Sequence, residues 1–182
     1  MVILASKSPR RKELLKQIFD DFLIIPPSIN EFEYKEEDIS RVKAEVIASS
    51  YPNDLIISAD TLVIYEGTIY GKPQNEKEAY EMLKNLSNKY HLVTTYYTIM
   101  WKEKGINITN HTSSKVYFNP LSDELINRYI KSGSPFDKAG GYGIQDKEYN
   151  LVNHIEGSYY NVVGLPLEDL KKDLINLGLI TK

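Results

Sequence analysis

Four short segments of this 182-residue chain carry side chains whose types and spacing can do chemistry. The first is Ser8-Pro9-Arg10-Arg11. Ser8 is a good helix N-cap, and Pro9 suits the first helical position, where its missing N–H costs nothing. Arg10 and Arg11 then fall in the first turn, at the helix end that repels cations by a few tenths of a kcal/mol each (about 0.3 or more). Free backbone N–H groups and two guanidiniums after a buried strand suit an anion, above all a phosphate, which would offset that repulsion. The plain alternative is a solvated, suboptimal helix start. The second segment is Ser58-Ala59-Asp60-Thr61, where Asp60 closes the apolar run LIISAD. A carboxylate ending a buried strand sits where open α/β sheets place ligands, and it can hold Mg²⁺ or activate water. It can also merely cap a turn.

The third segment, Gly71-Lys72-Pro73, sets a lysine at a hairpin exit before a rigid proline; alone it reads equally as an exposed turn lysine. The fourth runs from Lys138 to Gln145 and has three glycines in four positions, Gly140, Gly141 and Gly143. Such a stretch lets backbone approach a ligand closely, although it has neither the P-loop pattern nor the dinucleotide fingerprint. The Gln145 amide offers donors and an acceptor and can read a base edge. A flexible connector is the simpler account.

The elements that must position these segments follow from hydrophobic periodicity. VILA predicts a short buried strand feeding a helix that begins at Pro9, with Leu14, Leu15, Ile18 and Phe19 as its apolar stripe. FLIIPP predicts a strand stopped by Pro26 and Pro27. An acidic stretch leads into a helix over Ile39 to Ser50, with Val42, Val46 and Ile47 on one face. LIISAD predicts a central strand buried on both faces, followed by a hairpin around Glu66-Gly67. NEKEAYEMLKNL is a helix capped by Asn75, and HLVTTYYTIMW turns at Glu103 to Gly105 and returns through INITNHTSSKVYF. LSDELINRYIKSG is a helix capped by Ser122 and closed by Gly133. NLVNHI and SYYNVV predict a second hairpin around Glu156-Gly157, and a last helix runs from Pro166 to about Leu177 with Gly178 beyond. Alternating strands and helices with later hairpins predict an α/β (mixed α+β) fold, a mixed β-sheet with helices on its faces, in one domain over residues 1–182.

Composition narrows the function. Lys and Arg number 22 against 25 Asp and Glu, a net charge of −3, which argues against a dedicated nucleic-acid binder. The 14 tyrosines are spread along β segments, where they serve as core and sheet residues rather than stacking platforms. The absence of cysteine removes disulfides, thiol nucleophiles and cysteine metal sites together. VILA is too short for a signal segment and no stretch reaches the length of a membrane span, so a cytoplasmic location and no membrane partner are expected.

Taken together and in this order, the four segments resemble the Maf family of nucleoside triphosphate pyrophosphatases. The resemblance extends from Ile3 to Leu167, through His91-Leu92-Val93-Thr94 and the stretch from Ile155 to Pro166. It implies an elongated mixed sheet flanked by helices, like the inosine-triphosphatase group, with the nucleotide in a central cleft. It further implies hydrolysis of a nucleoside triphosphate between its α- and β-phosphates with Mg²⁺ or Mn²⁺, and a homodimer. Under it Ser8, Arg10 and Arg11 look like phosphate-binding residues, Asp60 like the proton acceptor that activates water, and Glu31 with Asp60 like metal ligands. Lys43 and Lys72 match the family's phosphate lysines, and Lys138 joins them as a substrate-binding residue of the glycine loop. Arg10, Thr61 and Gln145 match the subgroup acting on dTTP and UTP rather than 7-methyl-GTP. Gly140-Gly141 departs from the Gly-Ala patterns of many members, and the stretch after Glu31 is divergent. A nucleotide-sensing regulator of cell division without turnover is the competing expectation. Two carboxylates facing a polyanion favour catalysis over it.

Overall fold

The computed structural model describes residues 1–181. In chain order the elements are β1 (Val2–Leu4), α1 (Pro9–Leu15), β2 (Leu23–Ile24), α2 (Glu36–Ser50), β3 (Leu55–Tyr65), β4 (Thr68–Tyr70) and α3 (Glu76–Leu86). They continue with β5 (Tyr90–Trp101), β6 (Ile106–Phe118), α4 (Asp123–Lys131), β7 (Val152–Glu156), α5 (Tyr159–Val163) and α6 (Leu167–Asn176). The strands follow the order β2-β1-β3-β5-β6-β7, with β4 paired to β3. β2 and β3 run parallel to β1, whereas β4 is antiparallel to β3 and β7 to β6, so the sheet is mixed as expected.

The chain forms two compact units. The first comprises Met1–Asp60, Thr95–Thr112 and the segment from Gly164 onward. Its core joins Ile3, Ile56 and Met100 to Ala44, Ile47 and Ala48 of α2. The small alanines let α2 lie close on the strands. A buried hydroxyl chain then pins α2 to the sheet: Ser58 Oγ donates to the Ser40 carbonyl at 2.5 Å, and Ser40 Oγ meets Thr98 Oγ1 at 2.9 Å. Thr98 Oγ1 continues to Thr109 Oγ1 at 2.8 Å. This chain fixes the register between Lys43 on α2 and Asp60 on β3.

The second unit comprises Thr61–Thr94 and Ser113–Val163. Leu83 and Leu86 of α3 pack with Ile126, Tyr129 and Ile130 of α4 and with Val93, Val116 and Phe118 of the strands. Its helix caps match the sequence expectation: Asn75 accepts from the Glu78 N–H and Ser122 from the Leu125 N–H. Glu66 and Gly67, with φ of 49° and 79°, make the tight hairpin turn between β3 and β4.

Several elements differ from the sequence expectation. Asp60 does not end its strand, because Thr61 to Tyr65 contain no breaker and β3 runs on to the Glu66-Gly67 turn. SYYNVV is not a strand but includes the short helix α5, started by the Asn161 N–H donating to Ser158 Oγ. The buried Asn161 amide then donates to the Val93 carbonyl and Ser114 Oγ, contacts that override the β propensity of the segment. α2 begins at Glu36, three residues before the expected start, with Glu36, Glu37 and Asp38 in its favoured acidic first turn. Val46 faces outward at 40% exposure, so the apolar face of α2 is carried by Val42 and Ile47 instead. α1 stops at Leu15, leaving Ile18 and Phe19 in the turn beyond it, and β2 is only two exposed residues.

Candidate active site

In the first unit the site begins at the start of α1. Ser8 Oγ accepts the Arg11 N–H at 3.2 Å, with Pro9 in the first turn and no acidic residue there, as the sequence predicts. Arg11 reaches across to a distant part of the chain, its Nε donating to the Gly164 carbonyl at 2.7 Å. Burial lowers the Arg11 guanidinium to about 10, against the opposing pull of Asp60; neighbouring Arg10 lowers it further and Glu31 raises it. Lys12 points to solvent.

Lys43 reaches from α2 to the middle of β3. Its Nζ lies 3.1 Å from Glu31 Oε1 and 3.5 Å from Asp60 Oδ1, and it donates to the Ala59 carbonyl at 3.3 Å. Glu31 is presented by a single 3₁₀ turn, Glu31–Glu33, capped by Asn30. The ammonium thus bridges the two carboxylates that the sequence reading pairs. Asp60 Oδ2 is buried and has no hydrogen-bond partner among the described residues. Burial pushes the Asp60 carboxyl up, opposed by Lys43 and Arg11 and reinforced by Glu31. A carboxylate that is desolvated, unsaturated and raised in pKa is a stronger base than a solvated one.

Whether this donor set suits a divalent cation can be judged from its chemistry. Among the described residues no group of three or more His, Cys, Asp or Glu side chains is placed to hold a metal ion. Mg²⁺, however, is commonly held by one or two carboxylates plus substrate phosphates. The unpartnered Asp60 oxygen and the half-exposed Glu31 supply two such hard donors. The residues therefore fit a cation that arrives with phosphate ligands.

The second unit holds Thr61, Lys72, Lys138 and Gln145. Thr61 is half-buried on β3, and Lys72 and Gln145 are exposed. The Gly140 N–H donates to the Gly71 carbonyl at 3.1 Å, so the Gly71-Lys72 segment and the glycine loop are joined. Gly140 has φ of 74°, and a Cβ there would lie 2.9 Å from the Val63 methyl carbons, which requires glycine. Lys138 behaves as an internal clamp: its Nζ donates to the Ser134 carbonyl at 2.8 Å, to Ser134 Oγ at 3.0 Å and to Asp137 Oδ1 at 2.8 Å. Those three bonds match the three donors of an ammonium.

Sequence reading does not single out the residues that hold this loop. His91 Nε2 and the Tyr142 hydroxyl meet at 2.6 Å in the core, and the His91 ring packs edge-on against Phe118 and Tyr142. The aromatic Tyr142 among glycines was the available signal. Burial lowers His91 to about 4, so the ring is neutral in the fold. A depressed histidine contributes stability that is lost as pH falls from its unfolded value toward its folded one, at about 1.4 kcal/mol per unit. Between pH 7 and pH 5 this group alone is expected to withdraw about 2 kcal/mol. Urea midpoints at the two pH values, set beside those of His91→Gln, measure it. An equal pH slope in the variant would refute the assignment. A separate cavity of about 410 Å³ is lined by Ile64, Tyr65, Glu66, Gly67, Lys89, Tyr90, His91 and Leu92. Apart from His91 it shares no residue with the groups described above.

A mixed α/β chain that gathers arginine, lysine and two carboxylates at a helix start and a central strand belongs to the class of proteins built to handle a phosphorylated ligand. The family model described as Maf-like protein matches residues 1–177. The chain belongs to the Maf family. It is 48% identical over 183 residues to a protein of Carboxydothermus hydrogenoformans named dTTP/UTP pyrophosphatase, covering 97% of this chain and 98% of that one. A protein of the same name from Pyrococcus furiosus is 48% identical over 184 residues, covering 97% and 95% of the two chains. Another from Caldicellulosiruptor saccharolyticus is 46% identical over 188 residues, covering 97% and 94%.

Proposed function

We propose that this protein is a nucleoside triphosphate pyrophosphatase that hydrolyses dTTP and UTP to the nucleoside monophosphate and pyrophosphate. The observation that carries the chemistry is Asp60: a buried carboxylate, raised in pKa, with one oxygen unpartnered and Lys43 and Arg11 around it. The substrate class rests on near full-length similarity to relatives bearing that name.

In this reading Asp60 accepts a proton from water as the water oxygen bonds to the α-phosphorus. The bond from that phosphorus to the bridging oxygen breaks, and pyrophosphate leaves with the electron pair. Ser8 orders the helix start, whose N–H groups and Arg10 and Arg11 bind phosphate oxygens. Lys43 and Lys72 neutralise charge that develops on the departing group, the main demand of phosphoryl transfer. Glu31 and Asp60 would hold a divalent cation, Mg²⁺ or Mn²⁺, which when bound supplies further charge neutralisation at the phosphates. Thr61 and Gln145 favour the pyrimidine, the amide pairing with a thymine or uracil edge. Lys138, whose stem lies against Gly143 of the glycine loop, is read as a further substrate-binding residue. Among the described residues no helix is long and apolar enough to cross a membrane. A cytoplasmic homodimer completes the reading, with no nucleic-acid partner.

The test is a turnover panel with Mg²⁺ containing dTTP, UTP, dCTP and 7-methyl-GTP, with products identified. The expected result is pyrophosphate and monophosphate from dTTP and UTP, with 7-methyl-GTP much slower. Orthophosphate as the product, or a preference for 7-methyl-GTP, overturns it. Binding without turnover of any nucleotide would favour the sensing regulator instead.

A further inference from the structure

The Tyr129 hydroxyl lies in the core of the second unit, and none of the assigned roles uses it. The residue is 0% exposed and sits on α4, yet its oxygen makes two polar contacts to the end of the glycine loop and the residue just beyond it. It donates to Asp146 Oδ2 at 2.5 Å and accepts the Gly143 N–H at 2.9 Å. Gly143 and Asp146 are themselves the two ends of a tight turn, closed by the Asp146 N–H donating to the Gly143 carbonyl at 3.1 Å. One buried hydroxyl therefore grips both ends of a four-residue turn. The residues between those ends are Ile144 and Gln145, and Gln145 is exposed.

The grip is reinforced from outside the turn. Ser134 Oγ donates to the same Asp146 Oδ2 at 2.6 Å, and the Lys138 ammonium holds Ser134. The Lys138 stem crosses Gly143 so closely that a Cβ there would lie 2.6 Å from Lys138 Cε. Burial raises the Tyr129 hydroxyl, and Asp146 raises it further, so the proton stays on the phenol as the donor. A charge-assisted hydrogen bond of this kind is stronger than a neutral one. Core packing alone would be served equally by phenylalanine; the hydroxyl is spent on the turn.

We propose that Tyr129 is a specificity-positioning residue: its hydroxyl fixes the Gly143–Asp146 turn so that the Gln145 amide meets a thymine or uracil edge and not a cytosine edge. The inference rests on the reading above in which Gln145 contacts the base. Thymine and uracil present a carbonyl acceptor beside a ring N–H donor, and cytosine presents the reverse pair. A glutamine amide contains both a donor and an acceptor, so when loosely held it turns to serve either edge. Discrimination between bases of one size then depends on holding that amide at one distance and angle to the base edge, which starts from where the turn sets the Gln145 backbone. The Tyr129 hydroxyl supplies that hold without touching the nucleotide.

The experiment compares kcat and KM for dTTP and dCTP in the parent, Tyr129→Phe, Asp146→Asn and Gln145→Ala, with thermal melting of each. Tyr129→Phe is expected to lower the dTTP over dCTP ratio of kcat/KM by about tenfold, as befits loss of a charge-assisted bond. The change should come through a raised KM for dTTP, with kcat held within about threefold. Asp146→Asn leaves the core untouched and keeps an acceptor while removing its charge, so it should move the ratio the same way by a smaller factor, and it decides the matter if Tyr129→Phe does not fold. A lowered melting temperature with the ratio unchanged in both folded variants would show a structural role only and overturn the proposal. If Gln145→Ala erases discrimination while the two anchor variants retain it, the proposal fails and the reading of Gln145 stands. If Gln145→Ala keeps discrimination, both fail.

Discussion

Asp60→Asn is expected to lower kcat by about 10²–10⁴-fold, the usual cost of losing a general base, while the protein folds at least as stably as the parent at pH 7. The activity loss follows from the near absence of basicity in an amide at the same position. The stability expectation follows from the sign of the pKa shift. Asp60 is pushed up, mainly by burial, so the folded state holds its proton more tightly than the unfolded state does. The stability it contributes is present below the unfolded carboxyl value and is lost as pH rises through the folded value. At neutral pH the fold thus carries the cost of a desolvated anion, and an isosteric amide relieves part of it. Lys43 keeps Glu31 and the Ala59 carbonyl as partners in the variant. Single-turnover kinetics with dTTP, run beside melting curves at pH 7 and near pH 4, measure both effects. The melting advantage of the variant should shrink as pH falls toward 4. A variant that turns over normally would remove Asp60 from the mechanism and move the search for a base to Glu31.

Much of this arrangement was legible in the sequence because local chemistry dictated it. Ser8-Pro9 announced a helix start, Asn75 and Ser122 announced two more, and Glu66-Gly67 announced a turn; in each case one residue's own preference decides the backbone. The convergence of Lys43, Glu31 and Asp60 was expected only from family resemblance, since nothing in their spacing brings a helix, a 3₁₀ turn and a strand together. The hydroxyl chain through Ser40, Ser58, Thr98 and Thr109 ties the helix to the strands, its members far apart in sequence, and Glu31 joins only through the Lys43 ammonium. SYYNVV misled for the opposite reason: β-branched and aromatic residues favour a strand, and only the long-range anchoring of Asn161 turns the segment into a helix. Asp60 was misplaced at a strand end because an aspartate after five mostly apolar residues looks like punctuation, whereas the apolar run resumes at Leu62. Tyr129 was invisible as a functional residue because its spacing on α4 marks it as core, which it also is.

Lys43→Met tests the electrostatic logic of the site from the other side and should also carry a large effect. The ammonium is the cation shared by Glu31 and Asp60, with side-chain exposures of 14% for Lys43, 14% for Asp60 and 48% for Glu31. Removing it leaves the buried Asp60 carboxylate without its nearest counter-charge. Breaking a buried pair in this way costs about 3–5 kcal/mol, and the solvent-screened Glu31 share brings the expected loss nearer 2–3 kcal/mol. The loss should be largest above the folded pKa of Asp60 and fade in acid, where the carboxyl is neutral and needs no partner. The same reasoning moves the acid limb of the kcat profile to higher pH, since the main force lowering Asp60 is gone. At pH 7, kcat should fall by about 10²–10³-fold, from a less ionised base together with lost stabilisation of the leaving group. The double variant Lys43→Met with Asp60→Asn separates these contributions. If the pair is coupled as the 3.5 Å contact indicates, adding Asp60→Asn to Lys43→Met restores most of the melting temperature while leaving the enzyme inactive. Strictly additive changes in stability would mean that Lys43 stabilises the fold independently of Asp60, and that its place between the two carboxylates is not what sets the protonation of the base.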